Sequence, residues 1–580
     1  MRYARSKNRP YDLRLDSPNL AFDSSAAPVL ADSTALNQMQ PGFLRTLAAE
    51  LGTQALAAKV CPVLLSDHTV ALFAVAGQVG SDQANALALL VQQHGYVLAR
   101  PQRYVLPPAL LLAIVRGQIG PHALLGSSES QAIKTDLARA FQDMVAWGVE
   151  HQASDLHINI FQNRPESEVR FTIGGHYLCP ERFARIPTRT LSDMLAVAWM
   201  EISGGNGAVF DPNIEQQGSL LKQIDGRSVL LRWASLPADR GPSVCLRLLP
   251  RTEVSADLSL HNLGYLPDQV KAIESAAKIS GGAIIFAGRV GSGKSTSLAA
   301  LIARLPSWRK VITLEDPVEY LIPNAIQNTV SRQLDEPSHR AYAAKLKTLK
   351  RSGMHDVLLG EIRDVETGRA FMDLAGSGVS VYTTTHAPSA VAIADRLASD
   401  FIAVSRDFLA TPGILKLLVY QVLIPRLCGH CALPLSLSSK THESALRHVY
   451  QGAIQSLRMR NPHGCSQCRQ PQLPQQNGFQ GRTVAAEYIF PDQIPGLLWA
   501  IKQGRASHFW RLHACQKFVP SQVPMMGSSA LHSALYKSLK GLIDPHDIER
   551  SFKPFEVLKK QLQSGQPRLA ARGFARRRLP

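Results

Sequence analysis

The chain has 580 residues, 45% of them apolar and 19% charged, with 63 Lys+Arg against 45 Asp+Glu and a net charge of +18. At about 150 residues per domain this suggests three or four domains, with too much apolar material for wholesale disorder. The basic surplus asks for an acidic partner, whether nucleic acid, anionic lipid or an acidic protein face, and is silent on fold. No apolar run approaches the roughly 20 residues of a membrane-spanning helix. The basic start runs into Asp12, Arg14 and Asp16 rather than the apolar segment of a signal peptide. The expected location is the cytosol, where disulfides are rare.

Residues 1–40 are rich in Asp, Ser, Asn and Pro without periodicity and read as a disordered N-terminus. A small α+β domain is expected over 41–126. In it, Pro62–Leu65 and Thr69–Val75 read as strands around a Ser66–His68 turn, and Gln83–Gln93 as a helix with Ala84, Leu87, Leu90 and Val91 on one face. Gly117–Ser128 has linker composition. A second, mixed α/β domain is expected over 127–252. It opens with a helix carrying Ile133, Leu137, Phe141 and Val145, and continues in strands at Asp155–Ile160, Glu168–Ile173, Val229–Ala234 and Val244–Leu249.

From about Leu258 the pattern changes. Ala283–Ala287, Val311–Leu314, Val357–Leu359 and Val381–Thr385 are short apolar or β-branched runs separated by helix-length segments, the pattern of a doubly wound parallel sheet. Directly after the first run, Gly288-Arg-Val-Gly-Ser-Gly293-Lys294-Ser295 fits G-x-x-x-x-G-K-[ST], and a helical run follows. Glycines let backbone N–H groups curl around phosphate oxygens, and the helix start adds its positive end. The nucleotide-binding candidates are Gly288, Gly291, Ser292, Gly293, Lys294, Ser295 and Thr296, with Lys294 reaching the β/γ-phosphates and the Ser295 hydroxyl offered to Mg²⁺. An accidental glycine turn is the alternative.

Polar clusters follow the other runs: Glu315-Asp316-Pro317, then Glu361, Arg363 and Asp364, then His386. In a parallel sheet these strand ends share one edge, where ligands bind. One carboxylate can hold Mg²⁺ and another can orient the attacking water. Taken singly, each is equally an N-cap or a solvated charge.

Downstream, Cys428-Gly-His-Cys431 and Cys465-Ser-Gln-Cys468 form two C-x₂-C knuckles able to wrap one Zn²⁺. A redox role for one C-x-x-C is the alternative. Cys61, Cys179, Cys245 and Cys515 are scattered singly and read as small core residues.

Together these residues resemble the secretion ATPases of type II secretion and type IV pilus assembly (the GspE/PilB group). Val311-Ile-Thr-Leu-Glu-Asp-Pro-Val-Glu-Tyr320 looks like that family's Asp box, Val357-Leu-Leu-Gly-Glu-Ile-Arg-Asp364 like its atypical Walker B, and Thr384-Thr-His386 like the end of its His box. Ala153-Ser-Asp-Leu-His-Ile158, Leu231-Arg-Trp-Ala-Ser-Leu-Pro237 and Leu246-Arg-Leu-Leu249 resemble the domain before the motor, and Gly478-Phe-Gln-Gly-Arg482 the stretch after its tetracysteine module.

The resemblance implies an α/β chain built around a P-loop, RecA-like motor domain at 253–425. A Cys₄ zinc module follows at 426–485, then a C-terminal helical segment at 486–552 and a basic tail at 553–580. It also implies roles. Glu361 would coordinate Mg²⁺, Glu315 would activate the hydrolytic water, and His386 would sense the γ-phosphate. Arg232 and Arg247 would approach the nucleotide from the preceding domain. The cofactors are then ATP, Mg²⁺ and Zn²⁺. The assembly is a homo-hexamer on the cytoplasmic side of the inner membrane, driving a platform protein. A conjugative or DNA-transport ATPase touching nucleic acid is the alternative.

The sequence departs from the family at several positions. Val379 and Val422 replace a His and an Arg (the latter after a retained Gln421), Lys347 and Lys350 replace arginines, and Thr172 and Gly174 replace Arg and Asp. The tail holds eight basic residues and Glu556. Beside such a motor it reads as a tether to an anionic membrane surface rather than to nucleic acid, with a solvated tail as the alternative.

Overall fold

The computed structural model describes residues 27–563 apart from 32, 49, 54–55, 58, 116–126, 208, 256, 331–344, 437–438 and 514–517. Two compact units divide near Leu137 and Ala138.

In the first unit, α1 (Ser33–Gln38) precedes β1 (Phe43–Thr46), β2 (Val60–Leu65), β3 (Val70–Ala74), α2 (Asp82–Gln93), β4 (Leu98–Val105) and α3 (Pro108–Val115). The strands form one sheet in the order β1-β2-β3-β4, with β3 and β4 parallel. Helix α2 starts on a Ser81 cap and buries Ala84, Leu87, Ala88 and Val91. The expected disorder of 1–40 is corrected over 27–40. Leu30, Leu36 and Met39 are buried in the same core as Val63, Phe73 and Tyr104. They cover a sheet face one residue at a time, so no periodic pattern announces them. Residues 1–26 lie outside the described part, as does most of the expected linker.

The second unit begins in α4 (Ser127–Glu150), whose last turns bury Phe141, Met144, Val145 and Trp147. Strands β5 (Ala153–Asn159), β6 (Glu166–Ile173), β7 (His176–Leu178), β8 (Ile186–Pro187), β9 (Gln216–Ile224), β10 (Arg227–Leu236) and β11 (Ser243–Pro250) follow, with α5 (Thr188–Trp199) between β8 and β9. They make an antiparallel sheet ordered β7-β6-β5-β11-β10-β9, with β8 on β6.

The third sheet is built differently. After α6 (Pro267–Lys278) come β12 (Ala283–Ala287), α7 (Lys294–Ile302), β13 (Val311–Glu315), β14 (Ala325–Thr329), β15 (Asp356–Glu361), β16 (Ser380–Thr385) and β17 (Leu415–Leu427). These strands pair in parallel in the order β14-β13-β15-β16-β12-β17. Both faces are covered. Ala283, Ile285 and Ala287 pack with Phe371 and Leu374 on one side, while Ile284 and Phe286 pack with Ile273 and Leu298 on the other. Burial on both faces is why these strands read as unbroken apolar runs.

Beyond β17 the chain leaves for a small module holding β18 (Leu433–Pro434) paired with β19 (Arg458–Met459). It returns as β20 (Phe479–Ile489), antiparallel to β17. The expected boundaries at 425 and 485 therefore cut β17 and β20, which belong to the large sheet and flank the cysteine module. The expected tail also begins too early, because a helix occupies Phe555–Gln563 with Phe555 and Leu558 buried. Its remainder lies outside the described residues, as does Cys515. Among the described residues, no helix is long and apolar enough to cross a membrane.

Candidate nucleotide site and cysteine centre

The candidate residues meet at the carboxyl-terminal edge of the large sheet. The loop from Gly288 to Gly293 joins β12 to α7. Gly293 has φ +81°, a left-handed conformation that a side chain resists. Lys294 is buried and folds back on the loop, its Nζ donating to the Gly288 and Arg289 carbonyls at 3.1 Å each. Burial holds its ammonium below the ordinary lysine range, against the pull of Glu361 and Glu319. The Thr296 hydroxyl lies 2.9 Å from that of Tyr320.

Register explains how His386 arrives. Ala287 pairs with Thr385 across β12 and β16, so Gly288 and His386 leave the sheet side by side. His386 Nδ1 lies 2.9 Å from the Gly288 carbonyl, and Nε2 lies 3.0 Å from Glu361 Oε1 at the end of β15.

A cavity of about 160 Å³ is lined by Ser295, Glu315, Asp316, Glu361 and Arg363, and also by Arg232 and Arg247 from the antiparallel sheet. Burial raises the carboxyl of Glu315, which accepts from Gln327 Nε2 at 3.1 Å. Arg232 and Arg247 stand directly opposite on β10 and β11. Like charges so placed repel unless anions separate them. Asp155 takes Arg247 at 3.0 Å, and the Asp316 carbonyl accepts from Arg232 at 2.9 Å. Burial works against the Arg247 charge, but Asp155 outweighs it and the guanidinium stays above its ordinary range.

Of the expected residues, Ser295, Glu315, Glu361, Arg232 and Arg247 line this cavity, and His386 reaches it through Glu361, while the remaining nucleotide-binding candidates do not line it. Asp364 is a cap instead, accepting from Thr367 N at 2.9 Å at the start of the helix Val365–Gly376. Sequence reasoning gave Asp316 and Arg363 no role. Arg363 donates to Asp316 Oδ2 at 3.0 Å, which makes Asp316 a hub between two arginines. Their position just past two strand ends was the available signal. Two departures from the family are accommodated locally: Lys350 pairs with Asp373, and the Thr172 hydroxyl meets His157 Nε2 at 2.8 Å.

The second centre is self-contained. The Sγ atoms of Cys428, Cys431, Cys465 and Cys468 all lie within 4.8 Å of one another. Three of the separations are 3.8, 3.6 and 3.8 Å. Tetrahedral thiolates with bonds of about 2.3 Å stand about 3.8 Å apart, so the set fits zinc. Backbone N–H groups of Cys465 and Gly478 each reach Cys468 Sγ at 3.3 Å, a setting that favours thiolate over thiol. The module also touches the antiparallel sheet's domain. Trp147 Nε1 donates to Gln472 at 2.9 Å, and Gln476 Nε2 donates to the Ile173 carbonyl at 3.2 Å. Cys61, Cys179 and Cys245 are unpaired. Cys61 is a core residue as expected, whereas Cys179 and Cys245 are only half-buried, which corrects that reading for both. Burial raises Cys61 and Cys245 to about 12 and about 11.

The family model described as type II/IV secretion system protein matches residues 129–508. The chain belongs to that family. Type II secretion system protein E of Klebsiella pneumoniae is 29% identical over 360 residues, 61% of this chain and 66% of that protein. Type II secretion system ATPase E of Vibrio cholerae is 28% identical over 354 residues, 60% of this chain and 64% of that protein. The match spans just under two thirds of the length of these relatives. Among solved structures, the Legionella pneumophila ATPase DotB aligns with a TM-score of 0.46 and 17% identity, covering 71% of this chain and 95% of that one.

Proposed function

We propose that this family member is an ATP-hydrolysing motor for type II secretion or type IV pilus assembly, built on a RecA-like P-loop domain. One observation carries the reading. A phosphate-loop hydroxyl (Ser295), two carboxylates (Glu315 and Glu361) and two arginines from a separate sheet line a single cavity. Phosphoryl transfer to water needs little beyond such positioning and charge.

In this reading Lys294 leaves the loop carbonyls for the β/γ-phosphates. Ser295 and Glu361 would hold Mg²⁺, which would neutralise phosphate charge. Glu315, whose carboxyl burial has made more basic, orients and deprotonates the attacking water. The water oxygen bonds to the γ-phosphorus, and the bond to the β-phosphate oxygen breaks to leave ADP and phosphate. His386, between the loop and Glu361, registers the γ-phosphate. Arg232 and Arg247 meet charge developing in the transition state. Because they belong to the antiparallel sheet, their engagement pulls one domain against the other, which is the motor's stroke.

Six copies in a ring beneath the inner membrane would pass that stroke to a platform protein. The four cysteines would hold a structural zinc. The test is Lys294→Ala. The purified chain should lose at least about 100-fold in kcat/KM for ATP. Cells carrying it should lose surface pili or secreted protein when these and DNA transfer are scored side by side. Unchanged pili and secretion would end the motor reading, and loss of DNA transfer alone would favour conjugation.

A further inference from the structure

Gln421 was singled out by sequence and left without a task. It sits on β17, wholly buried. Its carboxamide spans two partners: Nε2 donates to the Ser292 carbonyl of the glycine loop at 2.6 Å, and Oε1 accepts from the Tyr265 hydroxyl. Tyr265 is buried too, and its hydroxyl lies 3.0 Å from that of Ser297 on α7. The strand also presses on the loop's first residue, where a Cβ on Gly288 would stand 2.5 Å from the Gln421 carbonyl oxygen.

A trans peptide points its C=O and its N–H in opposite directions. Holding the Ser292 carbonyl on β17 therefore turns the Gly293 N–H away from β17. The Gly288 carbonyl is held as well, but by Lys294 and His386, the groups that a nucleotide would recruit. The anchor on Ser292 is of another kind, because it comes from a dry residue outside the cavity and has no competitor.

We infer that Gln421 is a positioning residue of the phosphate site, which fixes the Ser292–Gly293 peptide so that the Gly293 N–H faces the phosphates. The Tyr265 hydroxyl fixes the carboxamide in turn, by choosing which of its ends faces the loop. The inference rests on the nucleotide reading above and deepens it. A misdirected N–H is lost to ground state and transition state alike, so the cost falls on KM rather than kcat.

The test uses the full chain, with MgADP affinity read by calorimetry and steady-state ATPase kinetics alongside. Gln421→Met keeps length and packing and removes the donor. It should weaken MgADP about tenfold and raise KM for ATP similarly, with kcat changed less than about threefold. Tyr265→Phe, which frees the carboxamide to turn over, should weaken MgADP about two- to threefold. It decides the matter if Gln421→Met does not fold. MgADP affinity and KM unchanged in the folded variants, with only the melting temperature lowered, would overturn the inference. Lys294→Ala separates the two levels: MgADP binding unaffected by that change would fell the nucleotide reading itself.

Discussion

Two arginine–aspartate pairs sit at opposite edges of the large sheet. At the amino-terminal edge, Arg309 grips Asp356 with two hydrogen bonds of 2.7 and 2.5 Å, and the side chains are 1% and 0% exposed. Its other contacts go to the Ala277 carbonyl and the Ser380 hydroxyl. At the carboxyl-terminal edge Asp316 serves both Arg232 and Arg363, and the three side chains are 26%, 42% and 41% exposed. The first pair is dry and satisfied, so no ligand can replace either partner. The second shares one carboxylate in reach of water, so a phosphate can take an arginine from it at little cost. The proposed nucleotide site lies at the edge whose ion pairs are exchangeable.

The sharpest way to break this contrast is Asp356→Ala, which strands a buried guanidinium. It should lower stability by about 3–5 kcal/mol in urea unfolding. A loss under about 1 kcal/mol would place both pairs in one class. The cysteine centre should behave as a second closed site. Cys465→Ser, or a strong chelator, should take zinc from one equivalent per chain to none and open residues 428–478 to protease. Protection that survives metal loss would make the module's own packing sufficient. The smallest effect on stability is expected at the exposed pair. Asp316→Asn should shift unfolding by less than about 1 kcal/mol. By releasing two arginines it should nevertheless change kcat several-fold, and unaltered kinetics would remove Asp316 from the site.

What could be read in advance followed from locality. Strands β12, β13, β15 and β16 are buried on both faces and declare themselves as apolar runs. β14 (Ala-Ile-Gln-Asn-Thr) is a polar edge strand, and β9 is an edge strand interrupted by Gly218, so neither has a pattern to show. Lys294 and Ser295 sit in a contiguous motif, and the cysteines in two short ones. Gln421 could be named but not placed, because it lies 129 residues from the carbonyl it holds. Leu30 and Leu36 went unread because cover over a sheet face needs no period.

One further consequence lies in how β17 and β20 meet. Leu427 pairs with Phe479, so the chain departs for the cysteine module and returns about one strand spacing away. Topologically the whole module is the tip of a hairpin. Closing a longer hairpin tip costs only about 0.6 kcal/mol per doubling of its length. The sheet's register is thus indifferent to what the tip contains. The same core could carry a long insert, a short turn or a foreign domain at this point, with Gln421 still pressed against the loop it serves.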